Sequence, residues 1–258
     1  MMSDTLLEIK SLLDEKYVQF NTTAFIETDP ISIPHQFSKK EDIEISAFLM
    51  ATIAWGNRTS IINNGNKLMA LMNQSPHDFI LNFSKKDEGR FQNFVHRTFN
   101  SGDCLFFLKS LKYLYQHHGG LEQAFSFGNK KSENVKLAIS NFRTLFLSLP
   151  HVSRIEKHVS NPLNNSSAKR LCMFLRWMVR NDKHGVDFGI WKTISSSQLC
   201  LPLDVHTGNV SRKLGLLMRK QNDWKSVEEI TDVLKQFDKK DPIKYDFSLF
   251  GLGAFESF

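Results

Sequence analysis

NPLNNSSAKRLCMFLRWMVR, residues 161 to 180, is a polar turn that runs straight into an amphipathic helix. Asn164, Asn165, Ser166 and Ser167 are all residue types that cap helix N-termini, and Leu171, Phe174, Leu175 and Met178 recur behind them at helical spacing. Lys169 then falls in the first turn, where unpaired backbone amides disfavour a cation. The same field enlarges the fraction of neutral, nucleophilic amine. Taken alone, a lysine in this place is usually no more than an exposed side chain.

A second stretch, LPLDVHTGNVSRKLGLL at 201 to 217, repeats the design with a carboxylate. Asp204 follows Pro202 and precedes a helical pattern, which makes it an N-cap residue whose charged form the helix amides favour. An ionised carboxylate there can stabilise a developing cation or accept a proton. It can equally serve as a cap and nothing more.

Working outward, apolar residues keep a helical period through most of the chain. The spacing predicts helices around Leu6–Leu13, Ile43–Ala54, Ile61–Met72, Leu105–Tyr115, Val135–Leu149, Val210–Leu217 and Val227–Phe237. Ser75-Pro76, Gly119-Gly120 and Asp241-Pro242 supply the breaks, the last with Asp as a cap and Pro at the first helical position. Ile31 to Ile33 admits a short strand, and no repeat or low-complexity tract interrupts the pattern. The fold class is all-α. The chain is taken as a single domain, 1–258, with a soft boundary near Pro150. That boundary makes two helical lobes, about 1–150 and 151–258, flanking a cleft.

Composition narrows the classes. The aromatic content is dominated by 22 Phe against 4 Tyr and 4 Trp, and Phe buries large area without needing a hydrogen-bond partner. No run of eighteen apolar residues occurs, and the N-terminal stretch lacks the basic start and apolar core of a secretory signal, so a cytoplasmic protein off the membrane is expected. Cys104, Cys172 and Cys200 form no C-x-x-C pair, and the nine His make no H-x-x-x-H pattern, so neither a metal nor another cofactor is expected. His117-His118 reads as a helix C-terminus, and Trp55, Trp177, Trp191 and Trp224 read as core. The net charge is +6, and Arg154 to Lys220 alone holds twelve Lys and Arg against four Asp and Glu. Such a segment suits a polyanion, or merely solvated helix faces.

Together, the polar turn, the helix with an early Lys and the PLDVH sequence at the head of another helix resemble the helix-hairpin-helix DNA glycosylase superfamily. ISAFLMATIAWGNRTSIINNGNKLMALM, 45 to 72, is similar to that family's early helix pair, and KYDFSLFGLGAF, 244 to 255, to its final core helix. The resemblance implies that Lys169 attacks the sugar C1′ as a Schiff-base nucleophile and that Asp204 stabilises the sugar cation and assists proton transfer. It places His206 beside the active site and Asn57, next to Arg58, at the break where a polar residue fills the gap left by an extruded base. The usual hairpin G-x-G is absent, Asn and Ser standing in its place, and residues 181 to 199 lengthen the Lys-to-Asp interval. Both features resemble the archaeal 8-oxoguanine glycosylase branch, and SxxKRLxMFLRWMVR with PLDVHTG is similar to an uncharacterised bacterial family of glycosylase-like proteins.

The function implied is base-excision DNA repair by a monomeric glycosylase with associated lyase activity, acting on damaged or abasic double-stranded DNA, with an oxidised purine as the base removed. Ser166, Ser167, Arg212 and Lys213 are the further backbone-binding candidates. Two other readings stay open: a glycosylase-fold module that binds DNA without cutting it, and an enzyme on another nucleic-acid or nucleoside substrate.

Overall fold

A computed structural model describes residues 2–126, 132–256 and 258. In chain order the α-helices are α1 (Asp4–Phe20), α2 (Ala24–Thr28), α3 (Lys40–Ile53), α4 (Arg58–Leu71), α5 (Pro76–Asn82), α6 (Ser101–His117), α7 (Gly120–Ser126), α8 (Lys136–Phe146), α9 (Lys169–Val179), α10 (Val205–Lys213), α11 (Trp224–Phe237) and α12 (Tyr245–Phe255). Among the described residues, extended pairing is limited to two isolated bridges, His96 with Phe99 and Ser166 with Asp223. The protein is all-α. Each stretch of expected helical spacing overlaps a helix, although α10 ends at Lys213, short of the expected Leu217, and α6 ends at His117-His118. Ile31 and Ile33 are fully buried, but Ile31 lies in the 3₁₀ turn Pro30–Ser32 and Ile33 joins it to the next, Pro34–Gln36. Proline opens each turn, and the Asp29 carboxylate accepts from the Ile31 amide at 3.0 Å, which holds the chain out of the extended conformation.

The chain divides into two compact units, but not at Pro150. The first comprises Met1–Phe25, Ser132–Lys136 and Asn161–Phe258; the second, Ile26–Lys131 and Leu137–Ser160. The N-terminal helix therefore belongs with the C-terminal half of the sequence, and α12 shows why. Cβ atoms built at its two inner glycines would meet different neighbours. At Gly251 the atom would lie 2.1 Å from the Phe20 ring of α1; at Gly253 it would lie 3.0 Å from Val210 and 3.1 Å from His206 of α10. Both helices close on α12 because these positions carry no side chain. The Ser248 hydroxyl donates to the Leu13 carbonyl at 2.6 Å, and the Tyr245 hydroxyl to Asp14 at 3.0 Å, fixing the α1 side. Gly251→Ala should accordingly destabilise the protein by about 1–3 kcal/mol, the usual cost of overpacking a filled core. Urea titration measures this, and a variant within ~0.5 kcal/mol of wild type would show that α1 yields freely.

The second unit spends most of its phenylalanine on one core. Phe48, Phe107, Phe142 and Phe146 meet edge-on or stacked, with Phe107 and Phe146 centroids 4.8 Å apart, and Phe125 lies flat on Phe142. Helix α3 crosses this core and is buried from Ile43 to Ile53, with α5 and α7 against it. Edge-to-face packing of this kind adds to area burial without asking for hydrogen bonds. Trp177, Trp191 and Trp224 are buried in the first unit, and the three cysteines are buried and unpaired.

Candidate functional site

Lys169 is the first residue of α9. None of the four polar residues before it is the cap. That place is taken by Ala168 in the left-handed conformation, at φ +48°, and the Ser166 hydroxyl accepts from the Ala168 amide at 3.3 Å. The turn contains a second left-handed residue, Asn165 at φ +60°, a conformation that asparagine tolerates better than most residues. Its side chain donates to Asp223 at 3.0 Å, and its carbonyl accepts from the Trp224 amide, so the hairpin is docked on the start of α11. Arg219, bound to the same Asp223, holds that carboxyl well below the usual carboxylate range.

Asp204 is the N-cap of α10. Its Oδ1 accepts from the Thr207 amide at 2.9 Å, and the Thr207 hydroxyl accepts in return from the Asp204 amide at 2.8 Å. The cap thus occupies one oxygen and leaves the other. That oxygen, Oδ2, lies 3.4 Å from the Lys169 Nζ, with the two side chains 17% and 30% exposed. An amine and a carboxylate on the starts of two helices are thereby joined and still reachable from solvent.

The surrounding residues hold this pair in place. Asn222 donates to the Asp204 carbonyl at 3.0 Å, and Arg212 donates to Asn222 at 2.6 Å and to the carbonyls of Arg219 and Gln221. Arg212 is therefore committed to the loop that supports Asp204. His206 is exposed, and its Nδ1 lies 3.2 Å from the Gly253 carbonyl. A carbonyl only accepts, so Nδ1 carries the hydrogen and the neutral ring presents Nε2 as an acceptor. Lys213 is exposed and lies over the Phe258 ring. Ser167 is half-buried, its carbonyl facing the Cys172 thiol.

Asn57 and Arg58 lie in the second unit. Asn57 is exposed and caps α4, accepting from the Ser60 amide at 3.1 Å, and Arg58 is the first residue of that helix. The basic excess of 154 to 220 is partly internal. Arg154 pairs with Asp103 within the second unit, while Arg176 and Arg180 are buried in the first.

Those two arginines organise a buried ion network that periodicity did not reveal. Arg176 binds Asp246 of α12 and, through Nε, Asp187 at 3.2 Å. Arg180 binds Asp187 at 3.0 Å, Asp241 at 3.0 Å and Asp182 at 2.6 Å, and donates to the Tyr17 hydroxyl at 2.8 Å. Asp241, expected as a simple cap, makes no cap hydrogen bond and serves Arg180 instead. The available signal was the placing of charges on apolar helix faces: Arg176 and Arg180 in MFLRWMVR, and Asp246 in KYDFSLFGLGAF. Buried charges need partners, so such residues point to one another.

Burial pushes the Asp246 carboxyl up to about 6, against the pull of Arg176; the charge of Asp204 raises it further and that of Lys169 lowers it. An unfolded aspartate titrates near 3.8, so between these values the folded state holds the proton more tightly. The stability contributed by this group is present at low pH and lost as the pH rises through about 6. Asp246→Asn has no proton to lose. Its stability relative to wild type should improve between pH 4 and pH 7, by on the order of 2 kcal/mol. Paired urea titrations check this; a constant difference would mean that Asp246 is ionised throughout.

Among the described residues, no group of three His, Cys, Asp or Glu is placed to hold a metal ion, and no helix is long and apolar enough to cross a membrane. Residues 29–255 match the model of a family described as protein of unknown function (DUF2400). The chain belongs to the DUF2400 family. The match takes in every site residue named above except Tyr17 of α1 and Phe258. Neither the curated proteins nor the solved structures hold a match to this DUF2400 chain.

Proposed function

We propose that this DUF2400 protein is a DNA glycosylase with associated lyase activity. The observation that carries the reading is the 3.4 Å approach of Lys169 Nζ to Asp204 Oδ2, with both groups reachable from solvent. In this scheme the neutral amine forms a bond to C1′ of the damaged nucleotide. The bond from C1′ to the base breaks, and the departing base takes the electron pair and a proton. The base takes one of the two amine protons; the C1′–O4′ bond then breaks, O4′ taking its electron pair and the other amine proton, and this leaves an imine, the intermediate of strand cleavage. Asp204 Oδ2 faces the position where cationic character develops and where the ammonium proton must first go. Its Oδ1 is held by Thr207, so the carboxylate needs no reorganisation during the reaction.

The base must leave the duplex to reach such a pair. Lys213 and His206, both exposed on α10, and the hairpin at Ser166 and Ser167 are the backbone contacts in this reading, and the gap-filling role of Asn57 and Arg58 stays what the resemblance implies. Arg212 acts through the loop it clamps. The test is borohydride reduction with duplex DNA containing an abasic site or an oxidised purine. A covalent adduct at Lys169 is expected. Duplex binding without any adduct would favour the module that recognises DNA and does not cut it.

A further inference from the structure

We propose that Arg97 grips a backbone phosphate of a nucleic-acid strand, and that the tight turn at 96–99 presents it for this purpose beside the break between α3 and α4. The choice of a nucleic acid as partner rests on the reading of Lys169 and Asp204 above; the contact itself belongs to the second unit and takes no part in the chemistry.

Arg97 stands where the backbone disfavours it. It is the first of two residues between His96 and Phe99, which exchange both backbone hydrogen bonds, at 2.8 and 2.9 Å. Its φ is +53°, a left-handed value that suits glycine or asparagine in such turns. An arginine kept in that conformation points to a use for its side chain. That side chain is exposed and makes no hydrogen bond or ion pair among the described residues. It is nevertheless placed. It lies across Gly56, where a Cβ would come within 2.8 Å of the Arg97 Nη1 and 3.2 Å of its Cδ. Gly56, itself at φ +104°, is bare on the side that the guanidinium covers.

Buried His96 ties the two turns together. Its Nε2 lies 3.1 Å from the Trp55 carbonyl, and its Nδ1 lies 3.2 Å from the Asn64 side-chain nitrogen. A carbonyl only accepts, so Nε2 carries the hydrogen and Nδ1 accepts from Asn64. Trp55 is packed edge-on by His96 and flat by His158. On the other side of the turn, Arg154 donates to the Thr98 carbonyl at 2.9 Å and is neutralised by Asp103. Arg97 has no such carboxylate, and neither 54–67 nor 91–102 contains Asp or Glu. Next to Gly56, Asn57 accepts from the Ser60 amide through its oxygen, which leaves its NH2 donor as the group beside the guanidinium. A face that offers only donors, one of them a charged planar fork, fits an anionic oxygen pair such as a phosphodiester.

The test is fluorescence anisotropy of the full chain with a short labelled DNA duplex, free of lesions, across a range of salt. In Arg97→Gly, a residue suited to the turn, affinity should fall roughly tenfold, and the slope of log affinity against log salt should shrink by about 0.9, the loss of one phosphate contact. Arg97→Lys should keep the wild-type slope and recover part of the affinity, because an ammonium has the charge without the fork. Arg97→Gln keeps a stem over Gly56 and loses the charge; it is the second variant should the glycine one not fold, and the same fall is expected. Unaltered affinity and slope in a folded Gly or Gln variant overturn the proposal, as does a wild-type protein that binds no duplex. Polyglutamate that displaces the labelled duplex from wild type as well as unlabelled duplex does would overturn it in favour of an acidic polypeptide. Since neither lesion nor borohydride is present, failure of adduct trapping leaves this result standing, and an unaltered slope in the Arg97 variants leaves the glycosylase reading standing.

Discussion

Lys169→Gln should abolish the borohydride-trapped adduct with an abasic duplex, and Asp204→Asn should lower turnover by on the order of 10² to 10⁴. The two substitutions separate chemistry from architecture. Glutamine keeps the length and polarity of the first residue of α9, but its amide cannot form an imine. Asparagine is as good an N-cap as aspartate, and its amide oxygen can replace Oδ1 opposite the Thr207 amide. What changes is the other atom. A carboxylate oxygen 3.4 Å from the Lys169 Nζ becomes an amide nitrogen, a donor facing a donor. The fold of Asp204→Asn should therefore persist, with near wild-type unfolding, while stabilisation of the sugar cation is lost. Full activity in Asp204→Asn would reduce Asp204 to a cap. An adduct of unaltered yield in Lys169→Gln would move the chemistry to another amine and remove the observation on which the proposed function rests.

Arg180→Leu should cost about 3–5 kcal/mol of stability, the loss typical when one partner of a buried ion pair is removed. Arg180 is fully buried and holds three carboxylates, of which Asp187 is also fully buried. Leucine fills part of the volume but leaves those charges uncompensated apart from the Arg176 contact to Asp187. The pH dependence is a further signature. Burial already raises Asp241, and Arg180 is the group that lowers it. Without the arginine, a folded-state carboxyl titrates still further above its unfolded value, and its contribution to stability is lost as the pH rises. The deficit of Arg180→Leu should thus be smaller at pH 5 than at pH 8 in chemical denaturation. A deficit below ~1 kcal/mol, or one independent of pH, would mean that the network is solvated. The same substitution removes the Arg180 bond to the Tyr17 hydroxyl and leaves its donation to Asp182 at 3.1 Å, so α1 should show the largest gain in amide hydrogen exchange.

The sequence by itself determined most of the longer helices, because each is written in a local period of apolar residues with a local stop; the short α2, α5 and α7 carry too few residues to show that period. Lys169 at the start of α9 and Asp204 as the cap of α10 were legible for the same reason: both statements concern only a few neighbouring residues. The identity of the α9 cap was not. Four good capping side chains precede Lys169, yet the chain turns through left-handed Asn165 and Ala168 because the hairpin is docked on Asp223 and Trp224, far along the sequence. Only the tertiary structure decided that Oδ2 of Asp204 faces Lys169, that α1 packs with the C-terminal half, and that Arg176 and Arg180 are interior. A count of charges records sign without burial, and a buried arginine looks the same in sequence as a solvated one. Burial and pairing arise when α12, with Gly251 and Gly253 bare, lets α1 and α10 close on it. That approach sets distances between residues whose positions in the chain carry no information about each other.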